Sequence, residues 1–379
     1  MKGCSSGPSA GSSGRAGPPG RVRVLVVEDS LTVRRYIAET LQADPGLEVV
    51  GESGDGSGAI RLCQDLRPDV ITMDMMLPGT NGLAATEYIM AHCPTPILIV
   101  SGSTNRADLF KTYDALAAGA VDVLEKPATD TSAEVWRKTL LQKVRLAARI
   151  PVITHLRGKR RRIPDHPAPP ASPATPGGAG GRPARVVAIG ASTGGPAAIL
   201  EILGGLPPEF DLPILFVLHL SGPLGSAFAD WLGGQTDLPV SFAEDGMALP
   251  PPGRARVLMA PPDHHLLLQG GRLRWSQAPE RHSCRPSVDV LFESLAREAC
   301  PGVLACLLTG MGRDGAEGLL AIRRAGGTTL AQDEASSVVF GMPGEAIRIG
   351  AAERVIPLSR VCEALGAFAA AGAGARGGP

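Results

Sequence analysis

Three residue types at strand ends carry the hydrolytic chemistry open to this chain. An apolar strand, Val186–Ile189, runs into the turn Gly190-Ala191-Ser192-Thr193-Gly194-Gly195. A serine pinned between glycines at a strand-to-helix turn presents its hydroxyl above the sheet edge. That hydroxyl is a poor nucleophile at neutral pH and needs a base and an orienter. His219 follows the apolar run Ile214–Leu218, and Asp314 lies in Thr309-Gly310-Met311-Gly312-Arg313-Asp314-Gly315, just past Val303–Leu308. All three therefore fall at carboxyl ends of strands on one sheet edge, as a Ser-His-Asp relay requires. In such a relay His219 accepts the serine proton and returns it to a leaving alcohol, while Asp314 holds the imidazole tautomer. Main-chain amides of the glycine-rich turns, those of Thr193 and Met311 among them, can supply an oxyanion hole. The order Ser, His, Asp excludes the α/β-hydrolase arrangement, in which the acid precedes the histidine. Dinucleotide binding fits poorly: the turn lacks G-x-G-x-x-G spacing, and Asp211 precedes the second strand instead of ending it.

A second constellation lies in the N-terminal half. Glu28 and Asp29 follow one apolar run, Asp74 ends another, Ser101 a third, and Lys126-Pro127 a fourth. In a doubly wound sheet these ends converge on one crevice. Carboxylates gathered there suit Mg²⁺, which prefers oxygen ligands. Asp74 can attack phosphorus, Lys126 and the metal offset charge on the transferring oxygens, and Ser101 can hydrogen-bond the acyl phosphate.

The elements that must position these groups alternate regularly. Strands are expected at Val22–Val27, Leu47–Glu52, Asp69–Met73, Ile97–Val100 and Val121–Leu124, with helices near Ser30–Ala43, Gly56–Leu66, Gly82–His92, Arg106–Ala117 and Ala133–Ala148. A second alternation begins at Arg185, with strands Val186–Ile189, Ile214–Leu218, Val257–Met259, Val303–Leu308, Thr328–Leu330 and Arg354–Ile356. Its helices are expected at Pro196–Leu203, Leu224–Gly233, Val288–Ala299, Gly315–Ala325, Glu345–Ile349 and Ser359–Ala370. Leu266–Leu268 and Leu273–Trp275 flank Gln269-Gly270-Gly271-Arg272 and read as an inserted hairpin. The fold class is α/β, with two doubly wound parallel-sheet domains, a flavodoxin-like one and a Rossmann-like three-layer one.

Composition sets the boundaries. Residues 1–20 are mostly Gly, Ser and Pro without an apolar h-region, so they form a disordered tail and not a signal peptide. Residues 148–183 hold Arg157-Gly158-Lys159-Arg160-Arg161-Arg162 and a Pro/Ala/Gly-rich stretch that cannot bury enough to fold, hence a linker. The domains run over 21–147 and 184–371, and 372–379 is another tail. Lys+Arg and Asp+Glu both number 37, so the net charge is zero and supplies no field for nucleic acid. Seven scattered cysteines without a Cys-x-x-Cys pair argue for a reduced chain. His264-His265 and His282-x-Cys284 lack a zinc spacing. No apolar run reaches the length of a membrane span, so the expected location is cytoplasmic, without direct membrane insertion.

Over residues 21–147 the chain resembles the receiver domain of bacterial response regulators. The matching motifs are Val26-Val27-Glu28-Asp29-Ser30, Asp69-Val70-Ile71-Thr72-Met73-Asp74, Met76-Leu77-Pro78-Gly79, Asn81-Gly82 and Lys126-Pro127. The resemblance implies that Asp74 takes a phosphoryl group from a histidine kinase with Mg²⁺ as cofactor, and that the Lys126-Pro127 peptide is cis. The family usually has an Asp pair where this chain has Glu28-Asp29. Residues 184–369 resemble the catalytic domain of the chemotaxis protein-glutamate methylesterases, the CheB family. The matching stretches are Ala188-Ile189-Gly190-Ala191-Ser192-Thr193-Gly194-Gly195-Pro196, Arg285-Pro286-Ser287-Val288-Asp289-Val290-Leu291-Phe292, Leu308–Gly315, Ala331–Ser336 and Val339–Pro343. This implies a Ser192, His219, Asp314 triad that needs no cofactor. It also implies hydrolysis of glutamyl γ-methyl esters on chemoreceptors, releasing methanol, and often deamidation of receptor glutamine. His264 lies in a family loop near the substrate cleft, and Arg285 can meet acidic residues of the receptor. Leu218-His219-Leu220-Ser221 departs from the family's Gln-His-Met-Pro-like stretch.

Joined in one chain, the halves imply that the receiver packs over the cleft near Ser192 and is released by phosphorylation. Two other classes remain as alternatives, a phosphorylation-controlled adaptor without chemistry and a transcription factor. The latter needs a basic helix-turn-helix segment that the C-terminal half does not offer.

Overall fold

Each alternation folds as a separate parallel sheet. The computed structural model describes residues 20–102, 105–126, 133–150, 152, 185–220 and 222–373. Nearly all of the 148–183 linker, both terminal tails apart from residues 20, 372 and 373, and the Lys126-Pro127 peptide lie outside the described residues.

The N-terminal unit follows the order β1 (Val22–Val27), α1 (Leu31–Gln42), β2 (Leu47–Ser53), α2 (Gly56–Leu66), β3 (Val70–Met73), α3 (Gly82–His92), β4 (Ile97–Ser101), α4 (Arg106–Ala117), β5 (Asp122–Glu125) and α5 (Ala133–Ala147). Its sheet order is β2-β1-β3-β4-β5, all parallel. β3 and β4 are buried on both faces, so they read as continuous apolar runs. Helices start where short polar side chains satisfy the first free amides. Asp55 accepts from Gly58 N at 2.7 Å, Asn81 from Ala84 N at 2.9 Å and Asn105 from Ala107 N at 3.0 Å. These caps end the loops after β2, β3 and β4 close to the sheet, which leaves one open rim at the carboxyl ends.

The C-terminal unit contains β6 (Val186–Ala191), α6 (Gly195–Gly205), β7 (Pro213–Leu218), α7 (Gly222–Gly233), β8 (Val240–Phe242), β9 (Arg256–Met259), β10 (His265–Gln269), β11 (Arg272–Ser276), α8 (Val288–Glu298), β12 (Val303–Leu307), α9 (Ala316–Arg324), β13 (Thr328–Gln332), α10 (Met342–Arg348), β14 (Arg354–Ile356) and α11 (Val361–Ala373). Seven parallel strands run β14-β13-β12-β6-β7-β9-β8, and β10 with β11 form the expected antiparallel hairpin. Among the described residues, β8 is the one strand the sequence reading missed. It is a three-residue, half-buried edge strand after Pro239, too short to show a period.

The two units share buried surface. Leu109 and Tyr113 of α4 belong to the same apolar cluster as Ile199 of α6 and Phe228 and Trp231 of α7. The Tyr113 ring meets Phe228 edge-on at 5.2 Å, and its hydroxyl donates to the Leu224 carbonyl. Trp231 Nε1 donates to Asp114 Oδ1 at 2.9 Å, and Arg106 pairs with Asp230 at 2.8 Å at the exposed margin. Polar tips of large rings thus find partners across the seam, as buried Tyr and Trp require.

Candidate active site

Strand order brings the three predicted residues to neighbouring positions. Ser192 leaves the central β6, His219 leaves β7 on one side, and Asp314 follows β12 on the other. Backbone bonds hold these ends together: Ser192 N donates to Thr309 O at 3.0 Å and His219 N to Ala191 O at 3.2 Å. Gly194 sits at φ +80°, a left-handed conformation that lets the chain turn at once into α6. A Cβ on Gly310 would stand 2.9 Å from Ser192 Cβ, so only glycine lets the β12 loop approach the serine.

Asp314 is 2% exposed and saturated with donors. Oδ1 accepts from Ser287 Oγ at 2.7 Å and Asp289 N at 3.2 Å, and Oδ2 from Val288 N at 2.7 Å. His219 Nε2 completes the set at 2.8 Å from Oδ2. Burial alone would raise Asp314, but the His219 bond and charge, with the Ser287 and Val288 bonds, hold its carboxyl below the usual range. Burial alone would depress His219. The bonds to Asp314 and Cys284 outweigh that and push its pKa up to about 9.

The first half of the expected relay is arranged differently. Among the described residues no hydrogen bond joins the Ser192 hydroxyl to His219. The second ring nitrogen, Nδ1, faces Cys284 Sγ at 3.6 Å instead. Asp314 and His219 are therefore brought into register, while the serine waits beside them. Catalytic hydrogen bonds often close only when substrate arrives. The reading of the sequence missed Cys284 because it enters from the loop before α8, where no period marks it. It missed Gln332 too: this fully buried side chain accepts from Thr309 N at 2.8 Å, and Thr309 Oγ1 in turn donates to Thr193 O at 2.9 Å. Gln332 thus braces the turn that carries Ser192. Among the described residues, the amides of Thr193 and Met311 donate to no protein acceptor, which leaves both available to an oxyanion.

Two contacts bring the N-terminal unit onto this rim. Asp122 Oδ2 on β5 accepts from Thr193 Oγ1 at 3.1 Å, next to Ser192, and from Lys143 Nζ at 2.6 Å. Gln142 Nε2 lies 3.6 Å from Met311 Sδ. His264 is held by Pro262 O at 3.0 Å and Gln277 at 3.0 Å against the Trp275 ring, and Arg285 Nη1 donates to Ala278 O at 3.3 Å.

The acidic rim of the first sheet also assembles. Lys126 Nζ lies 2.9 Å from Asp74 Oδ2 and 2.8 Å from Glu28 Oε2. Oxygens of Glu28, Asp29 and Asp74 lie within 4.8 Å of one another. Burial, with Asp74 nearby, raises Glu28 against the opposing Lys126 bond. One lysine leaves these carboxylates a residual negative charge. The buried Ser101 Oγ has no partner among the described residues. An all-oxygen donor set with excess charge and an orphaned hydroxyl fits a hard divalent cation and an incoming phosphoryl group.

Comparisons with known proteins match both halves of the chain. The CheB methylesterase family model matches residues 187–365, and the response regulator receiver domain model matches 24–134. A protein-glutamate methylesterase/protein-glutamine glutaminase of Anaeromyxobacter dehalogenans is 43% identical, the match covering 92% of this chain and 98% of that protein. One of Nitrosospira multiformis is 42% identical over 91% and 96%. The crystal structure of the Thermotoga maritima CheB methylesterase catalytic domain is 35% identical, covering 48% of this chain and 97% of that one, with TM-score 0.45. Among the described residues no helix is long and apolar enough to cross a membrane. A methylesterase half, a receiver half and 43% identity to such a relative over 92% of the chain lead to one assignment: the chain belongs to the CheB protein-glutamate methylesterase/protein-glutamine glutaminase family.

Proposed function

We propose that this chain is a phosphorylation-controlled protein-glutamate methylesterase of chemosensory adaptation. Its substrates are glutamyl γ-methyl esters on chemoreceptors, and receptor glutamine is deamidated at the same site. The observation that carries the reading is the 2.8 Å bond between His219 Nε2 and the saturated Asp314 carboxylate, on strand ends flanking that of Ser192. Ser192 Oγ attacks the ester carbonyl carbon as its proton passes to His219 Nδ1, which exchanges its Cys284 contact for the serine. Asp314 stabilises the imidazolium, and the amides of Thr193 and Met311 hold the oxyanion. Collapse expels methanol, which takes its proton from His219. Water then gives a proton to the same ring and attacks the acyl carbon, and the departing Ser192 oxygen takes that proton back from His219 as the free carboxylate is released. A glutamine side chain follows the same course with ammonia leaving.

The receiver, over 21–147, controls the esterase, over 184–371, through the 148–183 linker and the shared seam. Asp74 accepts a phosphoryl group from a histidine kinase of the chemosensory system in the cytoplasm. Glu28, Asp29 and Asp74 would hold Mg²⁺, whose charge offsets that of the phosphoryl oxygens, while Ser101 and Lys126 bind those oxygens. The resting form masks the cleft, a reading supported by the Asp122–Thr193 bond beside Ser192 and the Tyr113 and Trp231 bonds across the seam. Phosphorylation shifts the population toward a form in which a receptor helix can reach the serine.

The test is methanol release from methylated receptor by wild type and Ser192→Ala, each with and without a small-molecule phosphodonor. Wild type is expected to be stimulated and Ser192→Ala to be inactive in both conditions. Release that survives the substitution removes Ser192 as nucleophile. Absence of release by any form favours a binding module.

A further inference from the structure

We infer that Cys284 and His219 form a binding site for a soft divalent cation such as Zn²⁺, and that its occupation removes the base from the esterase. The site is read from geometry. Cys284 Sγ and His219 Nδ1 lie 3.6 Å apart, part-buried. A zinc ion bound tetrahedrally to a thiolate and an imidazole nitrogen separates those donor atoms by about 3.6 Å. The other ring nitrogen is already bound to Asp314 Oδ2 at 2.8 Å. A carboxylate on the far nitrogen is the usual partner of a metal-bound histidine, since it fixes the ring and raises its basicity. Asp314 keeps this orienting role, because its oxygens are filled by Ser287 Oγ and the amides of Val288 and Asp289. Water completes the coordination.

Among the described residues, two other groupings of potential ligands differ in kind. His282, Asp289 and Glu317 lie close together, but Arg281 Nη2 is 2.8 Å from Glu317 and its Nε is 3.6 Å from Asp289, so a cation is already in place. Glu28, Asp29 and Asp74 offer only hard oxygens. Sulfur and imidazole together favour zinc over magnesium. The cost to catalysis follows from sharing one atom: a nitrogen that holds metal cannot take the Ser192 proton. That consequence rests on His219 being the base, whereas the site itself does not.

The full-length protein, treated with chelator and dialysed, is titrated with Co²⁺ as a spectroscopic probe. Wild type and Ser192→Ala are expected to show a thiolate-to-cobalt charge-transfer band in the near ultraviolet that Zn²⁺ displaces. Cys284→Ala and the near-isosteric Cys284→Ser are expected to lack it, while the carboxylates of the receiver give no such band in any variant. In parallel, methanol release is measured against Zn²⁺, each variant relative to its own zinc-free rate. Half-inhibition of wild type is expected at a zinc concentration lower than that of either Cys284 variant by about tenfold or more, with chelator restoring activity. A wild type without the band, or Cys284 variants as zinc-sensitive as wild type, overturns the site. A band that forms while methanol release continues at saturating metal upholds the site and removes His219 as the base.

Discussion

The bond from Tyr113 to Leu224 offers a clean test of masking, because Tyr113 touches no catalytic group. Its side chain is fully buried in α4, edge-on to Phe228, and its hydroxyl donates to the first turn of α7. Burial and the Glu125 charge push its ionisation far above the ordinary range, so it stays a neutral donor at any working pH. Tyr113→Phe deletes one oxygen and keeps the ring packed. In the masked form this removes one buried hydrogen bond, worth about 1 kcal/mol net. In the released form the hydroxyl and the Leu224 carbonyl both face water, and the loss is negligible. The ratio of released to masked protein therefore rises about fivefold. Methanol release by the unphosphorylated variant is expected to rise by the same factor, while the phosphodonor-saturated rate stays at the wild-type ceiling, so the stimulation ratio contracts. A variant with wild-type thermal stability and an unchanged basal rate would show that this seam does not set the resting activity.

Three further outcomes are expected. With Asp74 as the proposed phosphoryl acceptor, Asp74→Asn is expected to abolish stimulation of methanol release by phosphodonor while the basal rate persists; residual stimulation would point to another acceptor. The His219–Asp314 pair should stabilise the fold over a defined window, read from the melting temperature of wild type against Asp314→Asn. Asp314 is held below 3.8, so its contribution is present above that pH and lost as pH falls through the depressed value. His219 is raised from 6.5 to about 9, so its contribution is complete below 6.5 and lost as pH rises through about 9. The difference between the proteins should thus be widest between about 4 and 6.5 and narrow on either side; a difference flat with pH would contradict the ion pair. Finally, Cys284→Ala removes one of the two bonds that raise His219, so the acid limb of the pH–rate profile for methanol release should move to lower pH. An unmoved limb would mean that the sulfur does not act on the ring.

What the sequence makes legible is whatever a parallel sheet imposes by construction. Strands that alternate with helices all point their carboxyl ends to one rim, so Ser192, His219 and Asp314 could be placed together without coordinates. Glu28, Asp74, Ser101 and Lys126 were readable for the same reason. The order of strands along the sheet is not encoded in any local period. That β6 lies between β7 and β12, with Ser192 between His219 and Asp314, is a fact of topology. The seam is illegible for a related reason: α4 shows an apolar face, but nothing in its pattern says that Tyr113 will end against the α7 backbone. Cys284 is the most instructive omission. Read along the chain it pairs with His282, at a spacing that lacks a zinc pattern. Read across the fold it reaches His219, from an irregular loop anchored when Ser287 Oγ and Val288 N bind the same Asp314 carboxylate. Asp314, which binds one nitrogen of His219, therefore also anchors the loop that brings a sulfur to the other nitrogen of that ring. Any rearrangement that brings Nδ1 to Ser192 must part the ring from that sulfur while the donors to Asp314 stay in place.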